Sequence, residues 1–371
     1  MMGKVVSLGA VLVVAGGGIH GFDFRDVIFD DIVSLRSLFS AWRRFSKGKR
    51  SKKDVTLFEL HLEDNLFSLH RRLVSGEWRP DPYQAFLVQD PKLRRIHKAS
   101  VGDRVLYQAV YQTLYPLFDK HFIHDSYASR DLKGTHRGVE RFGVFAKKVS
   151  ANHCHAAFVL KCDVRKFFDS IDHDILLELL GRKLGGRASG TPHLLRLLEK
   201  IIRSFEASPG KGLPLGNVTS QIFANIYLNK LDQFVKHFLR AQYYIRYCDD
   251  FVLLSSSREE LEGWTREIGQ FLQEHLKLSL HPNKVTIRKL LQGTDFLGYV
   301  SLPRYRVLRT KTRNRMFKKI VGLAAEVKSG KISEDRFCNS LASYLGMLRH
   351  CKSKKVLAEL GTLLGTADQP R

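Results

Sequence analysis

The stretch Tyr243-Tyr-Ile-Arg-Tyr-Cys-Asp-Asp-Phe-Val-Leu-Leu254 places two adjacent carboxylates between two apolar runs. Aromatic and branched residues on both sides favour two strands, so Asp249 and Asp250 are expected at the turn of a hairpin. A third carboxylate, Asp163, ends the apolar run at residues 157–162, which also favours a strand. The sequence therefore predicts that acidic side chains stand at the ends of buried strands.

Carboxylates in such places are costly unless a partner compensates their charge. A bound Mg²⁺ does so, and it favours one or two carboxylates together with substrate phosphates. Two such ions, ~3.5–4 Å apart, can activate a 3′-hydroxyl and stabilise a leaving pyrophosphate. Asp163, Asp249 and Asp250 are therefore predicted to be catalytic and to bind two Mg²⁺ ions, for which Mn²⁺ can substitute. Taken singly, each site is also explained by ordinary turn chemistry.

The composition indicates a polyanionic partner. The 371 residues suit two or three lobes, and a hydrophobic content of 44% disfavours disorder. Lys and Arg outnumber Asp and Glu by 61 to 37, for a formal net charge of +24. Such an excess predicts binding to nucleic acid or to an anionic membrane surface.

The cysteines and the N-terminus bear on the compartment. The 5 cysteines are odd in number and no pair has CxxC spacing, which disfavours a disulfide framework or zinc site and fits a reducing cytoplasm. Residues 5–18 are apolar and glycine-rich, like a weak signal peptide, but fall short of the ~20 residues that a membrane span needs. We therefore expect a cytoplasmic protein without a membrane partner, whose residues 1–25 form a poorly specified tail.

Hydrophobic periodicity predicts helices at both ends of the chain and strands in its middle. Helices are predicted at residues 35–45, 56–75, 103–118, 172–180, 217–239 and 258–276, with Asp172 and Ser257 as N-caps. Strands are predicted at residues 83–88, 157–162, 243–254 (the hairpin), 285–287 and 296–300, with a turn and a strand at 90–98. Leu57, Leu60 and Phe238 are expected on the apolar sides of their helices. From about residue 304 to residue 364 the chain is expected to be basic and helical, so the whole predicts an α+β fold.

Two motifs carry a resemblance to a known family. Tyr247-Cys-Asp-Asp250 resembles the YxDD box of reverse transcriptases, although cysteine is not the commonest residue in its second position. The segment FVLKCDVRKFFDSI, residues 158–171, resembles the first catalytic-aspartate motif of their palm. The resemblance implies an RNA-directed DNA polymerase with the right-hand fold of fingers, palm and helical thumb. It divides the chain into residues 26–156 (N-terminal helices and fingers), 157–300 (palm, with part of the fingers inserted) and 301–371 (basic helical thumb).

The next motifs narrow the family and the product. The family places an aromatic gate five residues after its first aspartate, which makes Phe168 a dNTP-binding residue that excludes a 2′-hydroxyl; a core phenylalanine is the alternative. Gly216-Asn-Val-Thr-Ser-Gln221 resembles the GxxxSQ form of diversity-generating retroelement enzymes rather than the QGxxxSP of group II intron and many retron enzymes. Gly216 and Gln221 are then expected at the nucleotide and Ser220 and Tyr247 at template and primer. Relaxed copying of template adenines is a further implication.

Basic motifs resemble the phosphate-binding parts of the fingers. Residues 90–104 resemble the motif that grips the triphosphate, and residues 125–137 resemble the next fingers motif. Arginine suits bidentate phosphate contacts and lysine acts as a point charge. The implied nucleotide ligands are Lys92, Arg94 and Arg95, and the implied template or primer contacts are Arg104, Arg130 and Lys133. Which of the two adjacent arginines faces the triphosphate stays open.

The last motifs lie towards the C-terminus. Leu280-His-Pro-Asn-Lys284 resembles the motif whose lysine sits near the pyrophosphate, so Lys284 is a candidate general acid, with a surface lysine as the alternative. Phe296-Leu-Gly-Tyr299 resembles the primer grip, although its aromatic residues also suit packing. Thumb residues expected to follow the backbone of an A-like RNA–DNA hybrid are Arg304, Arg306, Arg309, Lys311, Arg313, Arg315, Lys318 and Lys319.

The retroelement resemblance implies several partners. These are an RNA template and its RNA–DNA hybrid, dNTPs, a small basic oligomeric accessory protein and a cognate structured RNA. A retron-like or antiphage-defence reverse transcriptase is the first alternative, and a non-catalytic RNA-binding scaffold is the second. No maturase or endonuclease module follows the thumb in the printed sequence, which weighs against a group II intron enzyme.

Overall fold

The computed structural model describes residues 24–89, 93–184 and 193–365. Nearly all of the tail predicted for residues 1–25 lies outside these described residues, and so does Lys92. Within the described ranges, no helix combines the length and apolar character needed to cross a membrane.

The N-terminal part is mostly helical. Its helices are α1 (Phe24–Val33), α2 (Leu35–Ser46), α3 (Lys53–Leu60), α4 (Leu62–Val74) and α5 (Val101–Asp119). Helix α2 confirms the prediction for residues 35–45, and Ser34 caps it by accepting the backbone N–H of Ser37 at 3.1 Å. Helix α5 likewise confirms the helix predicted at residues 103–118.

One N-terminal prediction is wrong. The single helix predicted for residues 56–75 is two helices, because His61 leaves the helical conformation with φ −122° and ψ 41°. The break turns α3 away from the apolar stripe of α4. Leu57 and Leu60, expected on the buried side, are therefore exposed, whereas Leu66 is fully buried.

A two-stranded hairpin projects between α4 and α5. Strands β1 (Gln84–Gln89) and β2 (Leu93–Lys98) are antiparallel, with Leu87 paired to Arg95. Every residue of β1 is exposed, so little of the molecule packs over this hairpin. The strands confirm those predicted at residues 83–88 and within 90–98, whereas the predicted turn falls on residues 90–92, outside the described residues.

The central sheet has four antiparallel strands in the order β4-β5-β3-β6. They are β3 (Phe158–Asp163), β4 (Tyr243–Tyr247), β5 (Asp250–Ser255) and β6 (Thr286–Lys289). Its helices are α6 (Thr135–Val149), α7 (Phe167–Ser170), α8 (His173–Leu184), α9 (His193–Ile202), α10 (Val218–Gln233) and α11 (Arg258–Leu276). The strand at residues 157–162 and the hairpin at 243–254 are thus confirmed.

Both faces of this sheet are covered. Leu253 of β5 packs into the large core cluster that includes α10 and α11, whereas its neighbours Val252 and Leu254 pack with Phe142 and Phe145 of α6. This follows from the period-two alternation of side chains along a strand. Burial on both faces explains why β5 reads as an unbroken apolar run.

The helix termini around the sheet confirm both predicted N-caps. Asp172 accepts the backbone N–H of Ile175 at 3.1 Å, and Ser257 accepts that of Glu260 at 3.1 Å. The helix predicted for residues 217–239 ends early, because residues 234–238 form a π-helical turn. The wider turn changes which side chains share a face. Phe238, expected on the buried side, is 70% exposed.

The C-terminal part opens with a small antiparallel sheet and ends in helices. Its elements are β7 (Thr294–Phe296), β8 (Tyr299–Ser301), β9 (Arg306–Leu308), α12 (Thr310–Lys328), α13 (Glu334–Leu348) and α14 (Lys354–Leu363). The strand predicted at residues 296–300 is wrong in extent, because Leu297 (φ +52°) and Gly298 (φ +88°) form a turn between β7 and β8. Strand β9 falls where the sequence predicts helix. Tyr299, Leu308 and α12–α14 share a separate core cluster.

Candidate active site

The pairing of β3, β4 and β5 brings the three predicted aspartates together. Asp163 lies directly opposite Asp250 in the β3–β5 register, and Asp249 occupies the short turn between β4 and β5. The backbone N–H of Val164 donates to the carbonyl of Asp249 at 3.3 Å, which ties the turn to the end of β3. The carboxylates, 86 residues apart in the case of Asp163 and Asp249, therefore belong to one site at one end of the sheet.

The negative charges at this site would be stabilised by a bound cation. Burial is the main cause that raises the pKa of Asp250 to about 6; the charge of Lys161 opposes it, and the charges of Asp163 and Asp249 add to it. Burial, together with the charge of Asp163, also raises the pKa of Asp249. One oxygen of Asp250, Oδ1, is buried without a hydrogen-bond partner. A bound divalent cation satisfies such an oxygen and removes the like-charge repulsion.

Two lysines partly neutralise these carboxylates. Lys284 Nζ lies 2.8 Å from Asp163 Oδ1, so the predicted general acid stands beside the site rather than on a remote surface. Lys161 Nζ lies 3.5 Å from Asp250 Oδ2 and donates to the carbonyl of Asp295 at 2.8 Å. The sequence prediction missed Lys161. The signal was its position two residues before Asp163, which places both on one face of β3.

The donor set suits ions that arrive with a substrate. Among the residues described by the structure, no group of three or more His, Cys, Asp or Glu side chains is arranged to hold an ion by itself. Magnesium keeps several waters and is usually bound by one or two carboxylates plus substrate phosphates. Asp163, Asp249 and Asp250 fit that sparse requirement.

The predicted nucleotide motifs adjoin one another. The backbone N–H of Leu213 donates to the carbonyl of Phe168 at 2.8 Å, which joins α7 to the segment that leads to Gly216. Gly216 has φ +114°, and a Cβ atom there would lie 3.3 Å from Ile96 Cγ2 of the hairpin. A side chain is therefore disfavoured at Gly216 by both backbone conformation and space. Phe168 is half-buried and contacts Phe167 with ring centroids 5.3 Å apart.

The remaining palm predictions lie on α10 and β4. Ser220 and Gln221 occupy the first turn of α10, where Ser220 is buried and Gln221 is exposed. Tyr247 is half-buried, and its hydroxyl accepts a hydrogen bond from Thr135 Oγ1 at 3.3 Å. Their contacts with nucleotide, template or primer stay predictions.

The two adjacent fingers arginines point to opposite faces of the hairpin. Neighbouring strand residues alternate, so Arg95 shares a face with His97 while Arg94 does not. Burial, and then the charge of Arg95, lowers the pKa of His97, and the charge of Asp169 acts on it in the opposite direction. On the other face, which carries Arg94, the Cγ2 atom of Ile96 lies 3.3 Å from where a Cβ of Gly216 would be. Both faces of β2 thus approach palm residues, and which arginine faces the triphosphate stays open.

Three side chains predicted to contact template or primer, Arg104, Arg130 and Lys133, have partners within the chain. Arg130 is nearly buried and donates to Asp119 Oδ1 at 2.6 Å and to two backbone carbonyls at 2.7 and 3.0 Å. Arg104 is paired with Asp54, and Lys133 Nζ donates to the carbonyl of residue 124 at 2.9 Å. Acceptors inside the chain occupy these donors. The structure thus shows Arg130, Arg104 and Lys133 in internal contacts, and their contacts with template or primer stay predictions.

Some of the predicted thumb cations have partners within the chain, and others are exposed. Arg306 donates to the carbonyls of residues 350 and 139 at 3.2 and 3.1 Å, Arg309 Nε contacts Asp295 Oδ1 at 2.6 Å, and Arg313 pairs with Glu359. These three side chains serve packing within the chain. The exposed cations of the predicted set include Arg304, Lys311, Lys318 and Lys319.

Comparisons with known proteins identify the family of this chain. The family model "Reverse transcriptase (RNA-dependent DNA polymerase)" matches residues 89–301, more than half of the chain. Protein YkfC of Escherichia coli (strain K12) is 24% identical over 298 residues, covering 70% of this chain and 75% of YkfC. The group II intron-encoded protein LtrA of Lactococcus lactis subsp. cremoris is 21% identical over 308 residues, covering 64% of this chain and 49% of LtrA.

A solved structure of telomerase from Candida albicans aligns with a TM-score of 0.45 at 14% identity, covering 78% of this chain and 55% of that chain. The chain thus spans three quarters of YkfC but only about half of LtrA and of the telomerase chain. The family match covers β2, all four strands of the central sheet and the three aspartates, and it confirms the α+β right-hand polymerase fold. The chain belongs to the reverse transcriptase family of RNA-dependent DNA polymerases.

Proposed function

We propose that this chain extends a DNA primer along an RNA template, using two Mg²⁺ ions held by Asp163, Asp249 and Asp250. The observation that carries the proposal is the position of Asp163 directly opposite Asp250. The Oδ1 atom of Asp250 is buried and has no hydrogen-bond partner. When bound, two such ions activate the primer 3′-hydroxyl and stabilise the leaving pyrophosphate. Manganese can substitute for magnesium because it accepts the same oxygen ligands.

The other residues bind and orient the nucleotide. Arg94 and Arg95, on opposite faces of β2, are both proposed as ligands of the triphosphate, and Phe168 is proposed to exclude a ribose 2′-hydroxyl. Lys284 is proposed to donate a proton to the departing pyrophosphate, a role supported by its Nζ lying 2.8 Å from Asp163 Oδ1. Gly216 and Gln221 are proposed to line the pocket from the side of α10.

We propose that the chain is divided into the fingers, palm and thumb of a right-hand polymerase. Residues 26–156 form the N-terminal helices and fingers, 157–300 the palm and 301–371 the thumb. The helices α12–α14 support a C-terminal thumb because their buried residues share one core cluster, which also includes Tyr299, Leu308 and Val139 of α6. Strand β8 (Tyr299–Ser301) crosses the proposed boundary between residues 300 and 301. The proposed place of action is the cytoplasm, in keeping with 5 cysteines that lack any paired spacing.

A finer proposal concerns the biology. The GxxxSQ form at residues 216–221 supports the reverse transcriptase of a diversity-generating retroelement, which copies template adenines with errors. Its partners would be an RNA template, dNTPs, a structured RNA and a basic oligomeric accessory protein. A faithful retron-like or defence enzyme is the competing reading. Deep sequencing of cDNA made on a defined RNA template separates them: errors concentrated at adenines support the first, and an even error spectrum supports the second.

Primer extension on an RNA template tests the polymerase proposal. Asp249→Asn removes a metal ligand at nearly constant volume, so extension should fall to background. Asp64→Asn, an exposed residue of α4, is the matched control and should extend as the parent does. Normal extension by the Asp249→Asn protein would refute the catalytic assignment.

A further inference from the structure

A fully buried ion pair lies directly behind the catalytic turn. Arg246 of β4 and Asp232 of α10 both have 0% exposed side chains. The contact is bidentate, with Nε 2.7 Å from Asp232 Oδ1 and Nη2 2.6 Å from Oδ2, and the Tyr244 hydroxyl donates to Oδ1 at 2.7 Å. Burying two charges is expensive, and apolar residues of similar volume often stabilise a core as well or better. Packing alone therefore does not account for this pair.

The third nitrogen of Arg246 reaches the turn itself. Nη1 donates to the carbonyl of Cys248 at 3.1 Å and to Asn225 Oδ1 at 3.2 Å. Cys248 has φ +57°, a conformation that a residue with a side chain keeps only where its surroundings enforce it. The next carbonyl, that of Asp249, accepts the backbone N–H of Val164 at 3.3 Å. The peptide groups on both sides of the Asp249 Cα are thus held, one by Arg246 and the other by the end of β3.

The same network reaches the helix that begins at the nucleotide motif. Gln221, Asn225 and Asp232 are spaced by four and seven residues, so they lie along one side of α10. Asn225 Nδ2 also donates to the carbonyl of Ala128 in the fingers at 2.9 Å. One set of buried hydrogen bonds therefore relates the turn, α10 and the fingers.

We propose that Arg246 is a positioning residue, which holds Asp249 at the separation from Asp163 that two bound cations require. This inference rests on the two-ion function proposed above. Arginine is needed because its planar fork spans two acceptors, the Asp232 carboxylate and the Cys248 carbonyl. A lysine supplies one point charge and satisfies only one of them.

The test separates the hydrogen bond to Cys248 from the stability of the core. A triple variant, Arg246→Met with Asp232→Leu and Tyr244→Phe, replaces the charges by apolar groups of similar volume and leaves no buried charge unpaired. It should melt near the parent temperature. Its kcat for primer extension should fall on the order of 10- to 100-fold, as is typical when partners that orient metal ligands are lost. The Mg²⁺ concentration for half-maximal rate should rise, while the KM for dNTP changes little.

A second readout does not depend on turnover. Mn²⁺ binding to the parent and the variant is measured by electron paramagnetic resonance, with a primer–template duplex and a non-hydrolysable dNTP present. The triple variant should bind Mn²⁺ more weakly than the parent. The Asp249→Asn protein sets the level expected when a ligand is missing.

Two control variants separate an effect on the position of Asp249 from an effect on the stability of the fold. Tyr244→Phe alone leaves the bond between Arg246 and Cys248 in place, so its kinetics and Mn²⁺ affinity should match the parent. Leu69→Ala opens a cavity in α4, far along the chain from the turn, and should lower the melting temperature without changing the Mg²⁺ dependence. Arg246→Lys, which keeps a charge beside Asp232, decides the matter if the triple variant does not fold.

The outcomes are distinct. Parental Mg²⁺ dependence and Mn²⁺ affinity in the folded triple variant, or in Arg246→Lys, would overturn the positioning role while leaving the polymerase proposal intact. Failure of the polymerase proposal looks different: the parent extends no primer, and Asp249→Asn binds Mn²⁺ as the parent does. In that case Arg246 has no bound cations to position, and the inference falls with it.

Discussion

At the scale of the residue, burial gives Asp250 a property that its position in the sequence does not show. Its pKa is raised to about 6 by burial and by the neighbouring charges of Asp163 and Asp249. A cation must displace the proton from such a carboxyl before it can bind. Metal binding at this site is therefore expected to depend on pH within the range from about 5 to 7.

The first prediction concerns that pH dependence. As the pH falls below about 6, Asp250 gains a proton, so the Mg²⁺ concentration for half-maximal primer extension should rise towards about tenfold per pH unit. Titrations of Mg²⁺ at pH values from 5.5 to 8 measure it, with each rate normalised to a pH-stable step such as duplex binding. A Mg²⁺ requirement that is flat across this range would contradict it.

In the metal-free protein, the ionised form of Asp250 lowers the stability of the fold, whereas the same ionised form favours metal binding. Because the folded-state pKa of Asp250 is raised, its contribution to stability is fully present below the unfolded value of about 4 and is lost as the pH rises through about 6. In EDTA, Asp250→Asn should therefore be more stable than the parent at pH 7.5 and should lose that advantage near pH 4. Chemical denaturation at both pH values measures the difference.

Phe168 carries the second prediction. If its ring lies against the sugar, Phe168→Ala should raise the use of ribonucleotides relative to deoxynucleotides roughly 10- to 100-fold, the usual effect of removing a hydrophobic wall. Phe168→Tyr keeps the ring and serves as the control. Single-nucleotide extension with rGTP and dGTP measures the ratio of kcat/KM. A change in stability with no change in that ratio would identify Phe168 as a core residue only.

At the scale of elements, the hairpin β1–β2 meets the segment before α10 at one glycine. The backbone N–H of His97 donates to the carbonyl of Leu215 at 3.4 Å, and Ile96 lies where a Gly216 side chain would begin. The fingers and the nucleotide motif are thus in contact through backbone as well as side chains. This contact explains why a glycine is required there.

Gly216→Ala is the third prediction. The positive φ and the close Ile96 methyl should together destabilise the fold by roughly 1–2 kcal/mol and reduce primer extension. Gly263→Ala is the matched control, because Gly263 lies in α11 with open space around its Cα and should stabilise by roughly 0.5–1 kcal/mol. Denaturant melts and extension rates measure both. Equal behaviour of the two variants would show that Gly216 is not constrained.

At the scale of the whole molecule, the residues behind the formal charge of +24 fall into two groups. Some cations bind groups within the chain, and others are exposed to solvent. Arg130, Arg306 and Arg313 bind groups within the chain, so they are poor candidates for phosphate contacts. Lys318 and Lys319 are exposed on α12. Affinity for a nucleic-acid backbone should therefore depend on exposed thumb cations such as Lys318 and Lys319, and much less on Arg306 and Arg313.

The fourth prediction follows from counterion release. Changing Lys318 and Lys319 to Gln should weaken binding of an RNA–DNA hybrid uniformly across sequences and reduce the slope of log K against log salt by roughly two. Arg313→Gln removes the pair with Glu359 and should lower the melting temperature while leaving that slope nearly unchanged. Fluorescence anisotropy between 50 and about 300 mM salt measures both. An unchanged slope in the lysine variant would place the hybrid elsewhere.

Several structural features were predictable from the sequence. The hairpin at residues 243–254, the strand before Asp163 and the caps at Asp172 and Ser257 depend on local patterns, and all are present. Failures occurred where distant packing decides. The break at His61, the π-helical turn that exposes Phe238, and strand β9 all depend on neighbours that the local pattern does not contain.

By itself, the sequence determined the three aspartates, their place at strand ends and the family to which the chain belongs, because strand and turn chemistry is written in adjacent residues. Only the tertiary structure decided which cations are free and which side chains hold the site. It showed that Arg130 forms an ion pair with Asp119 and that Lys161 lies beside Asp250. It also showed Arg246 bonded behind the YCDD turn. A charged side chain acts through whatever lies within a few ångströms of it, and for these residues the partners come from different elements of the fold.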